Sequence, residues 1–170
     1  GPSIPNSQMQ HQSSFNPKER KLASFLAMTL LSAGLLSEGF SQGVQINEFL
    51  ALNNDGIQDS DGDPSDWIEL FNAGATAANL AGYSLTDDVA EPGKWKFPEG
   101  TTLGAGGYLV VFASGKDRVV AGEELHTNFR LGTSEAYLGL FDAAGASVSA
   151  FKDLSEQRED VSYGLGVSDA

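Results

Sequence analysis

The sequence predicts an all-β protein, an antiparallel β-sandwich or barrel of about nine short strands. Short apolar runs recur at intervals of roughly 8 to 15 residues, with Gly, Pro, Asn and Asp clusters between them. No stretch after residue 44 keeps the 3.6-residue period of an amphipathic helix. A hydrophobic fraction of 41% is enough for a packed core, and 20 glycines favour many turns.

Each predicted strand is a short apolar or alternating run that ends in turn residues. In order they are VQINEFLAL (44–52), DWIELFN (66–72), YSLTDD (83–88), KWKFP (94–98), YLVVFAS (108–114), LHTNFRLG (125–132), AYLGLF (136–141), SVSAF (147–151) and EDVSYGL (159–165). In the second run, alternation directs Ile68 and Leu70 to one face. It directs Trp67, Glu69 and Phe71 to the other. The segments NAGATAANLAG (72–82) and GTTLGAGG (100–107) are predicted as connections.

The histidine and glutamate patterns give no support for an enzyme. Alternation in segment 125–132 directs Leu125 and Phe129 inwards and His126 towards solvent. A Ser-His-Asp site needs a serine on a strained turn beside the histidine, and no GxSxG motif is present. Glu48 and Glu69 lie mid-strand and could act as an acid/base pair, but strand glutamates are usually solvated or ion-paired. We therefore predict a non-catalytic protein.

The N-terminal part of the chain has the three-part pattern of an export signal. A basic segment ends at Lys21, and an uncharged apolar run follows over 22–36. Ser41 and Gly43 would be the small residues at the −3 and −1 positions of a cleavage before Val44. The apolar run is shorter than the about 20 residues that a spanning helix needs, so we expect no stable membrane span after cleavage.

These features predict three parts. Residues 1–8 precede the first methionine and are interpreted as a cloning remnant, residues 9–43 as a signal peptide, and residues 44–170 as the folded domain. The expected location is therefore extracellular or at the cell surface.

The charge balance indicates which partners are expected. The net charge is −13 and becomes −14 when the leader, with three basic and two acidic residues, is removed. Nucleic-acid binding needs clustered Lys and Arg, so no nucleic-acid partner is expected. The chain has no cysteine, which excludes disulfides, thiolate metal sites and a cysteine nucleophile.

The stretch DSDGDPSDWIELFN (59–72) is the candidate metal site. Asp59, Asp61 and Asp63 alternate like the first three ligands of an EF-hand loop. The match then fails, because Pro64 stands at the glycine position and Leu70 at that of the bidentate glutamate.

Two interpretations of this stretch stay open. Hard oxygen ligands at two-residue spacing could hold Ca²⁺, and the candidate ligands are Asp59, Asp61, Asp63 and Asp66. Asp87 and Asp88 of a later connection could reinforce them. Alternatively the stretch is a solvated acidic turn, since Asp favours turns and Gly62 permits a positive φ. Ca²⁺ is the one candidate cofactor.

An ordered series of motifs resembles the bacterial lamin-tail domain. The motifs are INEFLALNN…DGDPSDWIELFN, LAGYSLTDD, KWKFPEGTTLGAGGYLVVFASGKD, LHTNFRLGTSEAYLGLFD and DVSYGL. The resemblance covers residues 44–165 and implies an immunoglobulin-like β-sandwich. Bacterial relatives usually continue past the last motif with a further aromatic strand, so we expect the domain to be truncated at its C-terminal end. In bacteria such domains look like accessory modules of secreted or surface proteins.

The resemblance and the charge together predict an exported, non-catalytic interaction or adhesion module of a larger surface or secreted protein. The expected partner is a protein or a surface polysaccharide. The alternative is a carbohydrate-binding accessory module of a secreted hydrolase, because β-sandwiches host such sites too. Trp67, Trp95, Phe97 and Phe112 are predicted to pack in the core. Trp95, flanked by two lysines, is the aromatic that a sugar-binding face could use.

The export signal gives the first testable prediction. The form starting at Met9, expressed in a bacterium with a secretion pathway, is expected to yield a mature protein that begins near Val44, because signal peptidase cuts after small residues. Amino-terminal sequencing of the exported fraction checks this. An intact Met9 on exported or soluble material would contradict it.

Overall fold

A computed structural model describes residues 43–133, 136–154 and 157–165. The predicted signal peptide lies outside these residues except for Gly43. Over the described part of the chain, every regular element is a strand. Accordingly, the same part contains no helix of the length and hydropathy that a membrane crossing requires.

The strands form two main sheets and one small one. The strands are β1 (Val44–Leu50), β2 (Trp67–Asn72), β3 (Ala78–Asn79), β4 (Ser84–Thr86), β5 (Trp95–Lys96), β6 (Thr102–Leu103), β7 (Tyr108–Phe112), β8 (Leu125–His126), β9 (Ala136–Phe141), β10 (Ser147–Leu154) and β11 (Tyr163–Gly164). Within the described residues the five-stranded sheet has the order β11-β1-β2-β7-β8, the four-stranded sheet β10-β9-β4-β5, and the small sheet β3-β6. This arrangement confirms the predicted all-β, immunoglobulin-like sandwich.

The inner face of the five-stranded sheet is set by β2. Ile68 pairs with Val111 of β7, and Leu70 lies between Ile46 of β1 and Leu109 of β7. Ile68 and Leu70 are completely buried, as alternation predicted, whereas Trp67, Glu69 and Phe71 are half-buried on the other face. Burying one such aliphatic side chain contributes about 1.5–3 kcal/mol.

The four-stranded sheet supplies the other half of the core. Leu85 of β4 pairs with Leu140 of β9 and with Trp95 of β5, and all three are buried. Across the sheets, the Phe49 and Phe151 rings meet edge to face with centroids 5.3 Å apart. The core consists of Val44, Ile46, Phe49, Ile68, Leu70, Leu80, Leu85, Trp95, Phe97, Leu103, Val111, Ala113, Leu125, Phe129, Leu138 and Leu140.

Two features differ from the predicted strand pattern. β3 and β6 form where connections were expected, and the buried Asn72 side chain holds this region by donating to the carbonyls of Thr76, Leu103 and Gly104. β8 runs parallel to β7, although an antiparallel sheet was expected. The reason is the connection 113–124, which turns back on itself before Leu125 enters the sheet.

Three connections meet at one end of the five-stranded sheet. They are the acidic loop (residues 51–66) between β1 and β2, the lysine loop (residues 113–124) after β7, and the terminal segment (residues 157–162) before β11. The Asp160 amide donates to the Leu52 carbonyl at 3.1 Å. Only glycine fits at position 164, where a Cβ would lie 2.6 Å from the Asn47 carbonyl oxygen.

Candidate functional site: a lysine-clamped acidic loop

The acidic loop is folded around the carboxylate of Asp59. Its Oδ1 accepts hydrogen bonds from the amides of Asp61 at 3.0 Å and Asp63 at 3.1 Å. The Asp59 amide donates to the Asp63 carbonyl, and the Gly62 amide to the Asp59 carbonyl, both at 2.9 Å. Gly62 has φ of 84°, which glycine adopts without strain. An aspartate that bonds its own backbone in this way closes a tight turn.

The second oxygen of Asp59 connects the acidic loop to the lysine loop. Oδ2 accepts from the Ser65 hydroxyl at 3.0 Å and from the Lys116 ammonium at 2.5 Å. The Asp59 side chain is fully buried. A buried carboxylate is tolerated only when it is paired and hydrogen-bonded, and here both oxygens are.

Lys116 binds all three alternating aspartates. Besides Asp59, its Nζ donates to Oδ2 of Asp61 at 2.7 Å and of Asp63 at 2.8 Å. An ammonium has three donors, and each is used on one carboxylate. Arg118 adds a second cation, with Nη2 at 2.5 Å from Oδ2 of Asp61.

These contacts change the pKa values of the cluster. Burial raises the pKa of Asp59, but the hydrogen bonds from Lys116 and from the loop outweigh it and hold that pKa far below its ordinary value. The hydrogen bonds from Lys116 and Arg118 lower the pKa of Asp61. Burial lowers the pKa of Lys116, but its three aspartate partners outweigh that effect and raise it. Asp59, Asp61 and Lys116 are therefore ionised near neutral pH.

A second chain of contacts runs through Glu124. Its Oε1 accepts from the Ser60 amide at 2.9 Å and the Ser60 hydroxyl at 2.8 Å. The same oxygen lies 2.9 Å from His126 Nε2, and His126 Nδ1 lies 2.8 Å from the Ser114 hydroxyl. Burial raises the pKa of Glu124, but the Ser60 and His126 hydrogen bonds outweigh it and the pKa ends below its ordinary value.

The prediction that His126 faces solvent was wrong. His126 is on the outer side of the sheet, opposite Phe112, as alternation requires. It is nevertheless completely buried, and its ring stacks on Phe112 with centroids 5.4 Å apart. The reason is that Glu124, held by Ser60 of the acidic loop, covers this part of the outer face.

The Ser114–His126–Glu124 chain has the residue types of a hydrolytic triad but not its accessibility. Ser114 is buried, and its hydroxyl accepts from the Lys116 amide at 3.2 Å. A nucleophile must reach a substrate, so this chain serves to hold the two loops together. Glu48 and Glu69 do pair across β1 and β2. They accept from Ser162 and Asn47 respectively, as strand glutamates with structural partners.

Three of the four candidate metal ligands come together. Carboxylate oxygens of Asp59, Asp61 and Asp63 lie within 4.8 Å of one another. Asp66 is separate from this group, since its Oδ1 accepts from the Asn53 amide at 3.1 Å and burial raises its pKa. Of the proposed reinforcements, Asp87 pairs with Lys94 at 2.7 Å.

As folded, the three aspartates fit an ammonium rather than a metal ion. Ca²⁺ takes about six to eight oxygen ligands, whereas Asp59 already uses both oxygens within the protein. Lys116 donates to the same oxygens that an ion would need. Calcium binding by this loop stays a prediction, and it would require displacement of Lys116.

The repeated aspartates of the sequence predicted the acidic side of this site, whereas its basic side was not predicted. Lys116 and Arg118 alternate with the same two-residue spacing as the aspartates, directly after a predicted strand. That spacing was a usable signal for a cross-loop ion-pair network. The roles of Glu124 and Ser60 depend on the parallel course of β8, which the strand pattern did not indicate.

Comparison with known protein families matches residues 41–153 to the Lamin Tail Domain. This range includes the acidic loop and the lysine loop. No curated protein matches the chain.

The competition between Lys116 and Ca²⁺ can be measured by thermal melting in EDTA and then in millimolar CaCl₂. In Lys116→Met the three carboxylates lose their ammonium partner, so calcium should raise the Tm of this variant more than that of the wild type. Lys152→Met, which removes a lysine outside the site, serves as the control. An equal calcium-dependent rise in wild type and Lys116→Met would contradict competition at this position.

The lowered pKa values of Asp59, Asp61 and Glu124 predict acid sensitivity. A carboxyl whose pKa is depressed by folding contributes stability above its unfolded pKa of about 4 and loses it as pH falls through the folded pKa. Asp59→Asn should lower the free energy of unfolding near neutral pH by about 1–3 kcal/mol, because the Lys116 ammonium and the Ser65 hydroxyl lose the carboxylate oxygen that accepts from them at a fully buried side chain. In this variant the free energy of unfolding should also fall less steeply than in the wild type as the pH is lowered into the acid range.

Urea unfolding at a series of pH values from neutral into acid measures both effects. Asp55→Asn, at an exposed carboxylate of the same loop, is the matched control. Its free energy of unfolding should change with pH as steeply as that of the wild type. If the free energy of unfolding of Asp59→Asn changed with pH as steeply as that of the wild type, Asp59 would not be the cause of the acid sensitivity.

Proposed function

This chain belongs to the lamin tail domain family, and on that premise we propose that it is an interaction or adhesion module of a larger exported protein. The family is immunoglobulin-like and generally non-catalytic. The export part of the proposal rests on the three-part pattern of residues 9–43. If residues 9–43 are an export signal, the domain acts at the cell surface or in the medium.

The main support for an interaction role is that the acidic loop, the lysine loop and the terminal segment are bound to one another at one end of the sandwich. Lys116 and Glu124 of the lysine loop bind the acidic loop, and Asp160 of the terminal segment binds the amides of Asn54 and Asp55. Loops fixed on a rigid scaffold are where binding residues concentrate. Fixing them in advance lowers the entropy lost on association.

The structure gives less support to the carbohydrate-binding alternative. Trp95, which a sugar-binding face could have used, is 2% exposed and packs edge to face on Phe97. Phe97 and Phe112 are buried as predicted, whereas the prediction that Trp67 packs in the core was wrong, since it is half-buried on the outer face of β2. Among the described aromatic residues, Tyr108 is the one that is exposed. A single exposed ring beside Phe71 is a small platform for a sugar.

A nucleic-acid partner is also not proposed. The net charge of −13 disfavours phosphate contacts, and binding driven by counterion release needs a basic surface. Lys116 and Arg118, two of the basic residues after the leader, are already bound to aspartates. Calcium enters this proposal only as a ligand of the acidic loop that competes with Lys116.

The choice between protein and polysaccharide can be tested by co-sedimentation of the chain with insoluble cellulose, chitin and peptidoglycan. We expect the protein to stay in the supernatant, because Tyr108 is the one exposed aromatic ring among the described residues and gives only a small platform for a sugar. Wild type and Tyr108→Ala should behave alike. Pelleting of the wild type that Tyr108→Ala abolishes would contradict the protein-binding role and select the carbohydrate-binding alternative.

A further inference from the structure

Most of the large apolar side chains that are exposed in the described part of the chain belong to the three loops. Of the eight large hydrophobic residues that are exposed in the described part of the chain, five belong to the three joined loops. They are Leu52, Ile57, Val119, Val120 and Val161. Large apolar side chains exposed on loops that are hydrogen-bonded to one another are candidate contacts for a partner.

The same three loops carry about half of the chain's net negative charge. They contain ten Asp and Glu residues and three Lys and Arg residues. Two of those basic residues, Lys116 and Arg118, are already bound to aspartates within the site. Asp55, Asp117 and Glu123 are exposed. The three loops therefore expose both apolar and acidic side chains.

The loops are held in place before any partner arrives. Glu124 joins Ser60 to His126, Lys116 joins the three aspartates, and the Asp160 amide donates to the Leu52 carbonyl. Val119 and Val120 follow directly after Arg118, whose guanidinium is fixed on Asp61. A surface fixed in this way presents its apolar side chains at low entropic cost.

We infer that the loop end binds a basic protein segment in which lysine or arginine side chains alternate with apolar ones. Charge complementarity steers such a segment to the acidic loops, and the apolar residues bury its aliphatic side chains. This inference rests on the proposed interaction role and names the chemistry of the partner for that role.

The test uses three synthetic peptides of equal length and the full chain, with affinities measured by calorimetry or fluorescence anisotropy. The first peptide intersperses lysine with leucine, the second has serine in place of leucine, and the third has glutamate in place of lysine. We expect the first to bind about tenfold tighter than the second, equivalent to about 1.4 kcal/mol, and the third not to bind. Binding of the first should weaken as salt rises.

Matched variants locate the surface. The double variant Val119→Ser, Val120→Ser should weaken binding of the lysine–leucine peptide about tenfold, because it removes two adjacent exposed apolar side chains from the lysine loop. Glu123→Gln should weaken it less and reduce its salt dependence. Val89→Ser and Glu99→Gln change an exposed valine and an exposed glutamate outside the three loops, and both should bind like the wild type.

Three outcomes would overturn the inference. They are no binding of the first peptide, equal weakening by loop and control variants, and concentration-dependent self-association that Val119→Ser, Val120→Ser abolishes. The last would make a second copy of the chain the occupant. The proposed function is tested separately, by the export and co-sedimentation experiments. If those two experiments give the expected results and the first peptide does not bind, only the binding surface inferred here is rejected.

Discussion

The contact between Asp59 and Lys116 determines how one end of this sandwich is organised. Asp59 uses one oxygen to fold the acidic loop on itself and the other to reach the lysine loop. Because its side chain is fully buried, its charge must be compensated within the protein, and Lys116 supplies the compensation. Glu124 then fixes Ser60 and covers His126, so the burial of that histidine depends on the same approach of the two loops.

The two sheets supply the rigidity that this end needs. Pairing of β2 with both β1 and β7 places Leu70 and Ile68 in the core, and it brings the acidic loop and the lysine loop to the same end. The site is therefore a consequence of the sheet order, and its charges are fixed on the scaffold rather than free in a mobile loop. An internal ammonium does here what a bound cation does in many acidic loops, which is to neutralise carboxylates that would otherwise repel one another.

The sequence predicted what depends on local pattern and missed what depends on tertiary contacts. Alternation placed Ile68, Leu70, Trp95 and Phe97 correctly, because period-two burial follows from strand geometry alone. It assigned His126 to the correct face but not to the interior, since the cover over that face comes from a loop remote in sequence. The aspartate cluster was visible as a repeat of carboxylates. Lys116 and Arg118 show the same two-residue spacing, but pairing residue 116 with residue 59 requires the turn after β7 to be known.

Asp59 and Lys116 are expected to stabilise the loop end through each other. A double-mutant cycle with Asp59→Asn, Lys116→Met and the combined variant, measured by urea unfolding near neutral pH, measures this coupling. Each single variant should destabilise the protein, and the double variant should be destabilised clearly less than the sum of the two. Additive effects, within the error of the unfolding free energies, would contradict this expectation and show that the two side chains act independently.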